Sequence, residues 1–325
     1  MRIVFMGSSE ASATCLRAIL RLPTLKVVGV VTQPDRPAGR GRELTPCPCR
    51  AYSMLRGIKN SIMPENVNTP EVIAQIKEWK PDVIAVVAFG QFLGNELLSL
   101  PQYGCVNCHF SLLPKYRGAS PVATALANGE EMTGVSIIRM GEGMDDGPVL
   151  LSQTEPIYRD DTGESLMDRL AICGGVTLAK ALSLMEAKKL PPEVPQEDAL
   201  VSFAHKLKKH YGLIDWSESS ATIERRIRAY KPWPGSYTFI PERFRKKDSG
   251  RLVVIGVEFC AVTPKQRLEL PGTVLDVTPR GPVVRTGDGA LLIVAVKPEG
   301  AKQMDGGAFL RGRELKPLVD MFMMK

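Results

Sequence analysis

One segment carries the side chains best suited to chemistry: Gly104-Cys105-Val106-Asn107-Cys108-His109-Phe110-Ser111-Leu112-Leu113-Pro114-Lys115-Tyr116-Arg117-Gly118. It holds one of only three histidines in the chain. Val106, Cys108 and Phe110 alternate with Asn107 and His109, which is the period of a strand. Asn107 and His109 then project to the same side at the carboxyl end of that strand. Pro114 and Gly118 end regular structure. An amide beside an imidazole suits one kind of chemistry, in which the amide donates to a developing oxyanion while the imidazole handles a proton or stabilises charge. The plainer alternative is a strand end with a surface histidine.

The same segment matches two unrelated patterns. Cys105-Val106-Asn107-Cys108-His109 fits the C-x-x-C-H pattern of covalent haem attachment, but it lies in an apolar strand pattern, and no export signal is visible. Cys47, Cys49, Cys105 and Cys108 could offer four thiolates, yet C-x-C is tighter than the usual zinc spacing. No metal is expected, and the cysteines read as small buried hydrophobes.

These groups must be held by the elements around them. The 325 residues allow about two domains of ~150 residues each. A hydrophobic share of 44% and a mean hydropathy near zero describe a soluble globular chain. No apolar run reaches the ~18 residues of a membrane span, and Arg2–Met6 reads as a strand instead of a leader. Seven cysteines, irregularly spaced, fit reduced thiols in a cytoplasmic protein. Of the 42 Lys and Arg residues, 22 lie in 201–325, with 13 of the 35 Asp and Glu. That third carries +9 and the first 200 residues −2. Such a distribution points to an anionic partner, or to a merely basic surface.

Arg2–Met6 is followed by Gly7-Ser8-Ser9-Glu10 and a helical stretch from Ala11 to Leu22, a strand–loop–helix start that lacks the G-x-G-x-x-G fingerprint. Val27–Thr32 and Asp82–Ala88 are nearly continuous in apolar residues, as strands buried on both faces of a parallel sheet are. Gln33–Arg42 reads as an irregular basic arm with Arg36, Arg40 and Arg42, suited to phosphate. Phe89 and Gly90 turn at the carboxyl end of a strand, where open α/β sheets bind ligands. Helices are expected at Glu71–Trp79 and Ser120–Asn128, and strands at Thr133–Met140 and Val149–Ile157. Gly141–Gly147 is a glycine-rich loop with three acids. Its carboxylates cap turns, or one folds back onto His109. Asp161 with Glu164 reads as a capping box opening a long helix.

The run Leu190–Pro195 breaks the pattern and reads as a linker. Beyond it comes a helix at Ser219–Ala229. Short strands follow at Ser236–Ile240, Leu252–Cys260, Gly272–Val277, Pro282–Thr286 and Leu291–Val296, the texture of a small basic β-barrel of OB type.

Taken in order, several pieces resemble the methionyl-tRNA formyltransferase family nearly end to end. They are Thr32–Gly41, Asn107-Cys108-His109 with Ser111–Gly118, Met144-Asp145-Asp146-Gly147, Ile214-Asp215-Trp216 and Arg228–Ser236. The resemblance implies an α/β, Rossmann-like formyltransferase domain over 1–189, a linker over 190–208 and an OB-like tRNA-binding barrel over 209–325. It implies 10-formyltetrahydrofolate as formyl donor, without a metal, and the α-amino group of methionine on initiator tRNA as acceptor. It also implies a cytoplasmic monomer with no membrane partner. Asn107, His109 and Asp145 would be the catalytic trio. Ser111, Leu112, Leu113 and Pro114, with Phe89 and Gly90, would form the folate site, and Arg36, Arg40 and Arg42 would meet the tRNA acceptor end.

The chain departs from the family pattern at Gly7–Ala11, Gly94, Met140-Gly141 and Lys209-His210. It also departs at Asp146, which leaves two adjacent carboxylates competing for one role. The rival readings are formyl transfer to glycinamide ribonucleotide or an amino-sugar nucleotide, a non-catalytic RNA-binding relic, and a dinucleotide oxidoreductase.

Overall fold

A computed structural model describes residues 1–38, 43–244, 250–311 and 314–323. The chain forms two compact units. The first comprises Met1–Pro121, Met132–Pro156 and Leu166–His205; the second comprises Val122–Glu131, Ile157–Ser165 and Lys206–Lys325.

In chain order, the elements up to residue 204 are β1 (Arg2–Gly7), α1 (Glu10–Leu20), β2 (Lys26–Val31), β3 (Arg36–Ala38), β4 (Glu43–Thr45), α2 (Pro48–Leu55), β5 (Ser61–Ile62), α3 (Pro70–Glu78), β6 (Val83–Val87), α4 (Asn95–Ser99), β7 (Cys105–His109), β8 (Arg117–Gly118), α5 (Pro121–Asn128), β9 (Met132–Arg139), β10 (Val149–Pro156), α6 (Gly163–Glu186) and β11 (Phe203–Ala204). Seven strands form one sheet in the order β10-β9-β7-β6-β1-β2-β5. From β7 to β5 the pairings are parallel, and β9 and β10 extend the sheet in antiparallel fashion.

The apolar runs explain the central strands. All five residues of β6 are buried, as are five of the six in β1. Each large apolar side chain so buried contributes about 1.5–3 kcal/mol relative to exposure. Strand order reverses between β1 and β6, so their carboxyl ends open a crevice where such sheets bind ligands. Gly7–Glu10 departs from the family pattern but still starts a helix. Ser9 Oγ accepts from Ser12 N, and Ser12 Oγ accepts in return from Ser9 N, closing a capping box. Ser12 Oγ in turn donates its own proton to Val87 O at 2.6 Å, tying the start of α1 to the end of β6.

Two local expectations need correction. Residues 33–42 read as wholly irregular, but Arg36–Ala38 pairs antiparallel with Glu43–Thr45. Pro37 costs that short hairpin little because an edge pair leaves one side of each strand free of the ladder. The long helix is opened by Thr162 and Ser165, not by Asp161 and Glu164. Ser165 N donates to Thr162 Oγ1 and Thr162 N to Ser165 Oγ. Asp161 instead accepts from Tyr158 N and Ser165 Oγ.

The remaining elements are α7 (Ser220–Ala229), β12 (Tyr237–Phe239), β13 (Arg251–Cys260), β14 (Val274–Thr278), β15 (Gly281–Arg285), β16 (Ala290–Pro298), β17 (Met304–Asp305) and α8 (Gly306–Leu310). The strands form an antiparallel sheet in the order β12-β13-β16-β15-β14, and β17 also pairs with β16. Trp216, Ile223, Ile227, Leu252, Ile293, Phe309 and Phe322 belong to its buried core. Near the C-terminus, Met323 bridges Phe239 of the edge strand β12, and Met321 bridges Thr273, the residue before the other edge strand β14.

Candidate active site

Strand β7 lies between β6 and β9, so Asn107 and His109 emerge at the carboxyl edge of the parallel part of the first unit's sheet. Three side chains meet there. Asn107 Nδ2 donates to Asp145 Oδ1 at 3.1 Å. His109 Nδ1 lies 3.4 Å from Asp145 Oδ2. The other ring nitrogen, Nε2, is 2.9 Å from the carbonyl oxygen of Tyr116. A carbonyl only accepts, so Nε2 carries a proton. The backbone N–H of Gly118 gives Asp145 Oδ2 a further bond of 2.9 Å. His109 is only 5% exposed, so these contacts lie largely out of water.

The adjacent acid is placed differently. Asp146 is exposed, and its carboxylate folds back over Gly141 and Gly143. Of the two carboxylates, Asp145 is the one brought to Asn107 and His109.

The loops that deliver these groups are held in uncommon conformations. Among the described residues six non-glycine residues have positive φ, and three of them are here: Ala88 (43°), Tyr116 (64°) and Asp145 (53°). Aspartate tolerates this region better than most residues. Two glycines permit close approaches. Gly118 has φ 115°, and a side chain on it would come within 2.8 Å of Ala204 O. A side chain on Gly147 would collide with the carbonyl of Arg139.

The residues expected at the folate site leave the same edge. Ser111 is fully buried; its Oγ donates to Lys115 O at 2.6 Å, and its carbonyl accepts from Ser136 Oγ at 2.8 Å. Leu113 N donates to Ser136 Oγ at 3.0 Å, and Leu112, Leu113 and Pro114 are half-buried. Phe89 is buried, and its carbonyl accepts from Gln33 Nε2 at 3.1 Å. Gly90 beside it is exposed with φ 82°. Arg36 is exposed on β3, whereas Arg40 and Arg42 lie outside the described residues.

Sequence reading missed Gln196, Ser202, Tyr116 and Ser136, which contribute backbone grips around the trio. Gln196 and Ser202 stand in a proline-rich run with no periodic pattern to single them out.

Cys105 and Cys108 are buried within β7. Burial pushes the Cys105 thiol up to about 12. A hydrogen bond with Cys15, and then burial, push Cys108 well above its ordinary value. Such thiols are poor nucleophiles and ligands. Among the described residues no three His, Cys, Asp or Glu side chains are grouped to hold a metal ion. No helix among them is long and apolar enough to cross a membrane.

Two family models match the chain: formyl transferase over residues 1–182, and formyl transferase, C-terminal domain, over residues 206–314. It is 40% identical over 317 residues to the methionyl-tRNA formyltransferase of Citrifermentans bemidjiense, covering 98% of this chain and 95% of that protein. It is 42% identical over 311 residues to the corresponding enzyme of Acidithiobacillus ferrooxidans, covering 96% of this chain and 95% of that one. Solved structures share the fold at lower identity. The N-formyltransferase of Helicobacter canadensis, crystallised with folinic acid and dTDP-3-aminofucose, aligns with a TM-score of 0.61 at 16% identity. That alignment covers 93% of this chain and 99% of the other. HypX of Aquifex aeolicus, in complex with tetrahydrofolic acid, aligns with a TM-score of 0.60 at 17% identity, over 100% of this chain and 51% of that one. The near full-length identity, together with both domain matches, places this chain in the methionyl-tRNA formyltransferase family.

Proposed function

We infer that this protein transfers a formyl group from 10-formyltetrahydrofolate to the α-amino group of methionine on initiator tRNA. The observation that carries this reading is the meeting of Asn107, His109 and Asp145 at one sheet edge in a chain alike to the family nearly end to end. The donor set fits a formyl carrier: one amide for an oxyanion and one carboxylate for a proton.

An α-amino group has a pKa of ~7.7–8.0, so near neutral pH roughly a tenth of it is already the free base that attacks, and little activation is needed. Attack forms the new C–N bond and places negative charge on the formyl oxygen. Asn107 keeps a second N–H beyond the one given to Asp145 and donates it to that oxygen. His109, with a proton on each ring nitrogen, satisfies Tyr116 O and Asp145 together and supplies positive charge beside the oxyanion. Asp145 relays the proton released by the attacking amine, through a water, to the folate nitrogen as the old C–N bond breaks. Ser111–Pro114 and Phe89–Gly90 form the folate site, and Arg36, Arg40 and Arg42 meet the acceptor end of the tRNA.

The domains run over 1–189 and 209–325 with a linker at 190–208. The C-terminal domain is an OB-like barrel that binds tRNA, a reading supported by the bridges that Met321 and Met323 make toward the two edges of its sheet and by the charge of +9 over 201–325. The enzyme works as a monomer in the cytoplasm, without a membrane partner.

The test is transfer of labelled formyl from 10-formyltetrahydrofolate to methionine-charged initiator tRNA, with uncharged tRNA as control. Label on the charged tRNA alone supports the reading. Label on a small amine instead, with none on tRNA, overturns it. Binding of tRNA should also weaken roughly tenfold or more between 50 and 200 mM salt if several phosphates are contacted. The KM for the folate donor should change far less.

A further inference from the structure

The chain between Glu193 and His205 has little regular structure, yet it closes on the catalytic loops. Gln196 Nε2 donates to the carbonyls of Asp145 and Gly147, both at 2.7 Å. Gln196 Oε1 accepts from Arg117 Nε at 2.9 Å. That third bond fixes the amide, because with its oxygen on the guanidinium its nitrogen must face the two carbonyls. Six residues on, Ser202 Oγ accepts from Tyr116 N at 3.0 Å, and Ser202 O accepts from Arg117 N at 2.8 Å. Tyr116 supplies the carbonyl that meets His109 Nε2. One strap therefore grips the backbone on both flanks of the His109–Asp145 contact.

Both gripped residues need holding. Asp145 and Tyr116 are left-handed, a conformation that persists only where surrounding contacts impose it. Residues 142–144 are exposed, so burial does not hold the loop from the other side.

We propose that Gln196 is a positioning residue for formyl transfer: its amide fixes the Asp145 loop so that the carboxylate stays on Asn107 and His109, and Ser202 does the same for Tyr116. This rests on the roles given to Asp145 and His109 above.

Gln196→Glu tests it with a side chain of the same shape that cannot donate to two carbonyls, and Gln196→Ala removes the grip outright. Full-length variants are assayed for kcat, for the KM values of the folate donor and the charged tRNA, and for melting. Both variants should lose roughly ten- to hundredfold in kcat, the scale of a small misplacement of a catalytic group. The donor KM should stay within about twofold, and melting should fall by no more than about 2–4 °C, too little to account for the loss in kcat. Ser202→Ala should show a smaller loss of the same kind, and the pH profile of kcat should change shape in Gln196→Ala. Wild-type kcat in Gln196→Glu would overturn the proposal; should that variant not fold, wild-type kcat in both Gln196→Ala and Ser202→Ala would do so. Asp145→Asn separates the two layers. If it keeps full kcat, the catalytic reading itself fails. If it collapses while the Gln196 variants do not, only the strap is wrong.

Discussion

Two nearly buried carboxylates, one in each unit, are held in opposite ways. Asp320, in the C-terminal unit, is 5% exposed. It accepts from Arg243 through both oxygens, the Nε bond being 2.9 Å, and from Lys316 N at 2.5 Å. Its main partner is a guanidinium that does not give up its proton. Asp145, in the first unit, is held by a neutral amide, one backbone N–H and an imidazole. Two of those three keep the carboxylate in place, and the third can exchange a proton. An acid tied to a permanent cation acts as a structural rivet. An acid tied to an imidazole can take part in a reaction.

The largest expected effect tests that contrast directly. Asp145→Asn should lower kcat about a hundredfold to ten-thousandfold with little change in melting temperature. Asp146→Asn should leave kcat within about twofold, because that side chain lies away from the trio. A larger loss at position 146 would transfer the role to the neighbour. Next comes Asn107→Ala, expected to cost about a hundredfold to a thousandfold in kcat as an oxyanion donor is lost. A rise in KM at unchanged kcat would instead make Asn107 a binding group.

Asp320→Asn should do the reverse of Asp145→Asn: a stability loss of about 1–3 kcal/mol in urea titration, with kcat retained. Its pH dependence has a defined sign. Burial alone would push the Asp320 carboxyl up, but hydrogen bonds from Arg243 and Lys316 N outweigh it and hold the carboxyl below its ordinary value. A carboxyl depressed in the folded state stabilises above its unfolded pKa, and that contribution fades as pH falls through the folded one. Wild type and Asp320→Asn should therefore converge in stability in strong acid, and parallel curves down to that range would refute the rivet. The smallest effect is at Ser9→Ala, which removes a helix cap and should cost about 1 kcal/mol. A larger fall in kcat than in stability there would mean that the start of α1 takes part in the site.

The sequence made the strands and most helices legible because they are local. Val83–Val87 reads as buried on both faces without knowledge of its partners, and the alternation around Asn107 and His109 needs only neighbouring residues. The choice between Asp145 and Asp146 was open at that level, since either could fold back. What separates them is the left-handed turn at Asp145, a backbone property no side-chain pattern displays. Gln196 was invisible for a related reason. It acts over 51 residues of separation, on carbonyls instead of side chains. The pairing of Arg36–Ala38 with Glu43–Thr45 was hidden by prolines and glycines that forbid long strands but not three-residue ones.

The last described residues have a consequence beyond stability. Leu318 N donates to Val274 O, Val274 N to Asp320 O, Phe322 N to Gly272 O, and Met323 exchanges backbone bonds with Phe239. That tail occupies hydrogen-bonding positions along both margins of the C-terminal sheet. Cut before Leu318, the chain would leave backbone groups of Phe239 on one margin, and of Gly272 and Val274 on the other, without their partners. It would be prone to join other copies edge to edge and to precipitate. Trimming the tail to ease crystallisation or to add a tag would turn a self-contained protein into an aggregating one.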